Sequence, residues 1–316
     1  MNPPDLMIDF VTFGIVTDDI VFPDGRTAMG VLGGGGPQTA LGMRMCSSAV
    51  GLVASVNDKE YPAIKSWLND SGIDSAGLRP SSMPTPRAWQ IFEANGRRTQ
   101  LWRVTESVIA GMLEKSLEKI PDEYGYARGY HLGIHPDEPD VQFIEDLRKF
   151  SGLVSLELFK PASRPPTLRK LRALLTQVDI VSTNLLEAQS IVGPGSLKDI
   201  ILRLFAAGAP LVTLRLGPSG SIVASQKPGR MLKIPAVSVS VIDTLGAGNA
   251  YCGGFLAGWV KTQDLAAAGA WGAVAASCLL EQVGIPVVTE KLQSIAEQRF
   301  KDLLPAIRDF SDGESV

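Results

Sequence analysis

The 316 residues are 45% hydrophobic, enough to bury one large core or a main domain carrying a smaller appendage. Thirty basic and 33 acidic residues are spread without a basic block and leave a formal charge of −3, which argues against nucleic acid as the main partner. Cys46, Cys252 and Cys278 lie far apart and make no C-x-x-C or Cys/His cluster, so no zinc site is expected and a reducing, cytoplasmic setting fits best.

The chain opens Met1-Asn2-Pro3-Pro4-Asp5, with neither a basic n-region nor an apolar h-region, and does not read as a secretory signal. From Thr17 to Leu32 apolar and polar residues alternate. Gly33-Gly34-Gly35-Gly36 then enters a helix-like segment, Pro37 to Arg44, with Pro37 suited to the first turn. Four glycines permit close approach of a polar ligand, with Gln38 projecting from the helix start; they would serve equally as a flexible connection. Val50-Gly51-Leu52-Val53-Ala54 reads as a buried strand. Alternation returns from Pro84 to Val104, where Asn95-Gly96 separates Trp89 to Glu93 from Thr99 to Arg103 and signals a hairpin. A small antiparallel sheet beside a parallel one is expected to be a lid over a ligand or an ordinary edge hairpin. Its aromatics Trp89, Phe92 and Trp102 would stack on a ring or form the buried face.

Both histidines, His131 and His135, flank the end of a strand-like run and are read as structural, since two imidazoles without a third ligand make a weak metal site. Gly152 to Leu156, Val178 to Ser182 and Pro210 to Arg215 are further strands, with helical spacing from Leu197 to Ala207 between the last two. Strands alternating with helices predict an α/β fold with a mainly parallel sheet. Asn184-Leu185-Leu186-Glu187 has the spacing of a helix capping box, and also that of an amide and a carboxylate orienting water on Mg²⁺. Leu216 to Ser221 is a turn at a strand end, where open α/β sheets bind ligands.

Val237 to Ile242 is strand-like, and Gly246-Ala247-Gly248 follows it at the start of a helix-like segment. Glycines at a helix start let backbone N–H groups converge on an anion that the helix dipole favours; tight packing is the alternative use. Neither glycine run is G-x-x-x-x-G-K-S/T or G-x-G-x-x-G, so P-loop and Rossmann nucleotide sites are excluded. Ala266 to Leu280 is apolar but too short to span a membrane and is expected to be a buried helix; no membrane partner is expected. The polar, acidic tail after Arg308 is expected to be disordered.

In their order along nearly the whole chain these segments resemble the PfkB/ribokinase family of sugar and nucleoside kinases, with a short fungal branch of the family as the nearest type. Asp243-Thr244-Leu245-Gly246-Ala247-Gly248-Asn249 is similar to the family's D-T-x-G-A-G-D signature in all but its last residue. The resemblance implies a single ribokinase-like domain over 1–316, a three-layer sandwich with lid segments near 17–32 and 84–104. It implies MgATP-dependent phosphorylation of a hydroxyl on a small sugar, polyol or nucleoside-like molecule. Gly246, Ala247 and Gly248 would stabilise the transferred phosphoryl group, and Asn249 stands at the catalytic base. Asp19, Gly34, Gly35, Gln38 and Arg103 would face the substrate, although the family commonly has Asn where Gln38 stands. Asn184, Thr213, Gly217, Gly220 and Asp243 would lie at ATP, with Glu187 at Mg²⁺. An exposed lid sheet also invites a homodimer.

Asn249 is the departure that matters, because an amide takes no proton and general-base catalysis is typically worth about 10²- to 10⁴-fold. The sequence therefore leaves three readings: a slow or substitute-base kinase, a retired binding protein, and a fold turned to ATP-independent chemistry.

Overall fold

The computed structural model describes residues 7–94 and 97–311. In chain order its strands are β1 (Phe10–Phe13), β2 (Val16–Val21), β3 (Thr27–Gly33), β4 (Val50–Asn57), β5 (Ile73–Asp74), β6 (Leu78–Ser81), β7 (Arg87–Phe92), β8 (Arg98–Trp102), β9 (Gly129–Ile134), β10 (Leu153–Leu158), β11 (Ile180–Asn184), β12 (Leu211–Arg215), β13 (Ser221–Ser225), β14 (Met231–Ile234) and β15 (Arg308–Asp309). The helices are α1 (Gly36–Arg44), α2 (Tyr61–Asp70), α3 (Glu106–Leu113), α4 (Val141–Leu147), α5 (Leu168–Leu175), α6 (Leu185–Val192), α7 (Leu197–Ala206), α8 (Ala247–Thr262), α9 (Leu265–Leu280) and α10 (Glu290–Leu303).

The main sheet runs β15-β14-β13-β12-β11-β10-β9-β1-β4-β5, with β6 also on β4. It is parallel from β5 to β12 and antiparallel from β12 to β15. Strands covered on both faces need apolar residues throughout, and β11 and β12 supply them: four of the five residues in each are buried. One core, with Leu41, Val223, Phe255 and Trp271, lies under α1, α8 and α9. The other, with Ile144, Val154, Leu204 and Val212, lies under α4 to α7, which makes the three layers of a ribokinase-like α/β sandwich.

Glycines set the spacing of α1 and α8. A Cβ on Gly42 would stand 2.1 Å from the Ala250 carbonyl oxygen, and one on Gly253 would stand 2.0 Å from that of Thr39. The two backbones therefore touch, and the glycine-rich starts of both helices come together at one end of the sheet.

A separate four-stranded sheet has the order β3-β2-β7-β8. It differs from the expected antiparallel sheet because β2 and β7 pair in parallel. Asp18, Ile20, Ala88 and Gln90 are buried on one face, and Asp19, Arg87 and Trp89 belong to the other. The hairpin tip Asn95-Gly96 lies outside the described residues, as do the first six residues and 312–316.

Two further expectations need correction. Val237 to Ile242 forms no strand, because β15 already occupies the free side of β14, the strand that precedes it; Val241 and Ile242 are exposed. The tail is likewise ordered at its start, where Arg308–Asp309 is β15, the edge strand of the main sheet. Ala266 to Leu280 lies within the buried α9, and no helix among the described residues is long and apolar enough to cross a membrane.

Candidate active site

Asp243 begins the anion turn by accepting the Leu245 N–H at 2.9 Å, and burial pushes its carboxyl up. Gly246 then takes the left-handed conformation, φ 80°, and α8 starts without a side-chain cap. An uncapped start leaves first-turn N–H groups available to an oxyanion. Side chains larger than hydrogen would close this cradle: a Cβ on Gly246 would meet Gln38 Cγ at 2.4 Å, and one on Gly248 would meet Arg215 Nη1 at the same distance. The turn therefore fits a phosphate group in shape and in charge.

Behind it lies a buried ionic lattice. Arg215 Nη1 is 3.1 Å from Glu157 Oε2, and its Nη2 is 3.4 Å from Glu187 Oε2. Asn249 donates its side-chain amide to Glu157 Oε1. Burial alone would raise the Glu157 carboxyl, but the His131 ring and the Arg215 charge hold it down to about 2. That makes Glu157 a poor proton acceptor. Glu187 instead is shifted upward, with burial outweighing Arg215.

His131, expected at a strand end, sits inside β9, with Nδ1 3.0 Å from Ser155 Oγ and Nε2 3.6 Å from Glu157 Oε1. Among the described residues, His131, Glu157 and Cys252 come close enough together for a metal. They do not fit one, because Arg215 Nη1 already lies 3.4 Å from Cys252 Sγ, and burial pushes that thiol far up.

Asn184 and Glu187 form the capping box of α6: the Asn184 Oδ1 accepts the Glu187 N–H at 2.9 Å, and Glu187 Oε2 accepts the Asn184 N–H at 2.8 Å. Glu187 Oε1 accepts the Asn184 side-chain amide at 2.7 Å. With both oxygens engaged, this carboxylate fits contact with a hydrated Mg²⁺ through water rather than direct ligation. Thr213 is fully buried and donates to Ser182 Oγ at 2.6 Å, so its hydroxyl is spent inside the sheet. Gly217 faces open space, whereas Gly220 packs on β14, its Cβ position 2.1 Å from the Ile234 carbonyl oxygen.

On the other side of the turn, Gln38 Oε1 accepts the Gly35 N–H at 3.0 Å, so the amide is first a clasp for the glycine loop. The Cβ position of Gly35 is 3.0 Å from Asn249 Nδ2, while Gly34 backs onto Val16. Gly35, Gln38, Gly246 and Asn249 are thus one cluster. Asp19 and Arg103 form another: Asp19 accepts Arg87 Nε and Nη2, each at 2.7 Å, together with Arg103 Nη1 and the Gly30 N–H. The Arg87 bonds dominate in holding its carboxyl down to about 2. A cleft of about 350 Å³ opens against both arginines. Asp18, the adjacent residue, points the other way, bonded to Gln90 Nε2 at 2.8 Å, and burial lifts it to about 6.

Glu157, Arg87 and Asp18 escaped the sequence reading. Glu157 lies in an apolar strand run and carries no motif; Arg87 was visible only as part of a lid segment. The signal for separating Asp18 from Asp19 was strand alternation, which puts neighbours on opposite faces.

A family model described as pfkB family carbohydrate kinase matches residues 7–290. A cytidine kinase of Thermococcus kodakarensis is 29% identical over 266 residues, 82% of this chain and 91% of its own. A Vibrio cholerae fructokinase solved with fructose, ADP and calcium has a TM-score of 0.69 at 20% identity, covering 95% of this chain and 100% of its own. Arabidopsis thaliana ribokinase, solved with ribose and ATP, gives 0.71 at 19% identity, with 93% and 99% covered. At those identities the two structures establish a shared fold.

Proposed function

Since the chain belongs to the pfkB family of carbohydrate kinases, we propose that it transfers the γ-phosphoryl group of ATP to a hydroxyl of a small sugar, polyol or nucleoside-like acceptor. The observation that carries this is the uncapped start of α8, kept open by Gly246 and Gly248 and flanked by the glycine loop at the end of the parallel sheet. Phosphoryl transfer depends mostly on positioning and electrostatic stabilisation, which N–H groups at a helix start supply. Mg²⁺ bound with ATP would neutralise phosphate charge, with Asn184 and Glu187 reaching its waters. Asp19 and Arg103 are assigned to the acceptor side, and Thr213 to supporting the sheet under the nucleotide.

Asn249 orients through Glu157 and accepts no proton, so the transfer is slow. The test is ADP release from MgATP with a panel of sugars, polyols and nucleosides. Acceptor-dependent, multiple turnover is expected; ADP release that never rises above the acceptor-free background would overturn the reading. A second reading, a retired nucleotide-binding protein, draws on Glu157, the carboxylate that Asn249 is bonded to, being held down and so a poor base. Thermal stabilisation by ATP or ADP with no turnover would favour it. The free thiols of Cys46, Cys252 and Cys278 suit the cytoplasm, and the exposed apolar side chains of Met29, Leu101 and Trp102 on the small sheet's strands favour a homodimer through that sheet, readable by sedimentation.

A further inference from the structure

Successive residues of β2 face opposite ways, and the side turned toward the start of α8 belongs to Asp18. Its Oδ1 accepts the Gln90 amide at 2.8 Å, while Oδ2 lies 1.9 Å from where a Cβ on Gly33 would stand. That Cβ position is 3.5 Å from Gln38 Nε2, which is itself 3.0 Å from the Cβ position of Gly246. Asp18 therefore stands across a single side chain, Gln38, from the anion turn, close enough to feel the charge of Asp243. Glycine at position 33 leaves room beside Oδ2 that a side chain would fill. Asp19 serves this side only indirectly, by fixing β2 through Arg87 and Arg103.

The other carboxylates around the turn are committed. Glu157 receives the Asn249 amide and lies against Arg215, and Glu187 closes the capping box of α6. Asp243 accepts the Leu245 N–H and so holds the turn itself. We propose that Asp18 is the general base of the transfer, taking at Oδ2 the proton of the acceptor hydroxyl in place of residue 249. The O–H bond breaks as the acceptor oxygen bonds to the γ-phosphorus, and the bridging P–O bond of ATP breaks with its electron pair leaving on ADP. The proton passes from Asp18 to water after the product departs. This rests on the kinase reading and deepens it: the slow transfer runs on a base set back from the turn. Burial raises the Asp18 carboxyl to about 6, with Gln90 and the charge of Arg98 opposing the rise and Asp19 and Asp243 adding to it. Such a group is ionised at neutral pH and still basic enough to take a proton.

Rates of ADP release at saturating MgATP from pH 5 to 9, with an acceptor that the protein turns over, test the assignment. The parent kcat should fall about tenfold per pH unit below about pH 6 and level off above it, because the protonated acid accepts nothing. Asp18→Asn keeps an oxygen for Gln90 and buries no charge, so it is expected to fold, as a thermal melt checks. Its kcat at pH 8 should drop about 100-fold or more, with the acceptor KM changed only a few-fold and the pH dependence lost. Adding Asn249→Asp to that variant returns a carboxylate to the turn and should recover about tenfold or more of the loss. A raised KM with kcat and its pH profile intact would mean that Asp18 only binds a hydroxyl, and overturns the inference while the kinase reading stands. A kcat for Asp18→Asn within a few-fold of the parent's does the same. No acceptor-dependent turnover by the parent at any pH removes the kinase reading, and this one with it.

Discussion

The small sheet and the floor beneath α8 are built from the same ions in opposite proportion. In the sheet one carboxylate, Asp19, lies between two guanidiniums; beneath the helix one guanidinium, Arg215, lies between two carboxylates, Glu157 and Glu187. The first cluster has positive charge to spare and opens onto a cleft. The second has negative charge to spare and is sealed, so it must be offset by neutral donors, of which the Asn249 amide is one. A carboxylate at position 249 would add to the surplus. The amide at position 249 is thus matched to the charge behind it.

The strongest way to break the comparison is to remove the shared cation of the sealed cluster. Arg215→Met leaves Glu157 and Glu187 buried without a counter-ion, which costs about 3–5 kcal/mol for a pair of this kind. Urea unfolding at pH 7 should show that loss. The deficit should narrow toward pH 4, where the stranded carboxylates take up protons. A loss of the same size at both pH values would mean that packing, not charge, is what Arg215 supplies.

Next in size is the reversal Asn249→Asp. It replaces a donor to Glu157 with a second carboxylate, and an expected destabilisation of about 3 kcal/mol follows from the lost charge-assisted bond and the repulsion that takes its place. Asn249→Asp combined with Glu157→Gln restores one charge and one amide, with their places exchanged. The double variant should recover most of the stability, and any gain in phosphoryl transfer should be larger in it than in Asn249→Asp alone. Additive losses in the cycle would show that the two side chains are not a matched pair.

Much of the fold was legible because it is written in local patterns. Parallel strands such as β11 and β12 announce themselves as short apolar runs, and Gly246 to Gly248 is dense enough to mark an uncapped helix start. The ionic clusters were not legible, since Glu157 and Arg215 are 58 residues apart and Asp19 and Arg103 are 84 apart; only the folded sheets bring them together. Val237 to Ile242 shows the converse limit: its β-branched pattern is intact, but a strand also needs a free edge, and β15 occupies the one on β14. The capping reading of Asn184 and Glu187 was available from spacing; the ion pair of Glu187 with Arg215 was not.

The smallest effect sharpens the contrast within a single strand. Asp18 follows the opposite course from Asp19 because Gln90, not an arginine, is bonded to it among the described residues: burial raises its carboxyl to about 6, with Asp19 and Asp243 adding to the rise and Gln90 and the charge of Arg98 opposing it. A folded-state pKa above the ordinary 3.8 means that the fold prefers the protonated acid. The penalty is therefore absent below pH 4 and grows as the pH climbs through 6. Asp18→Asn keeps an oxygen to accept from Gln90 and has no charge to bury, so at pH 8 it should be more stable than the parent by about 2 kcal/mol. At pH 4 the two proteins should unfold together in a thermal melt. If Asp18→Asn is less stable at pH 8, a partner outside the described residues holds the ionised form, and the two aspartates differ less than their surroundings imply.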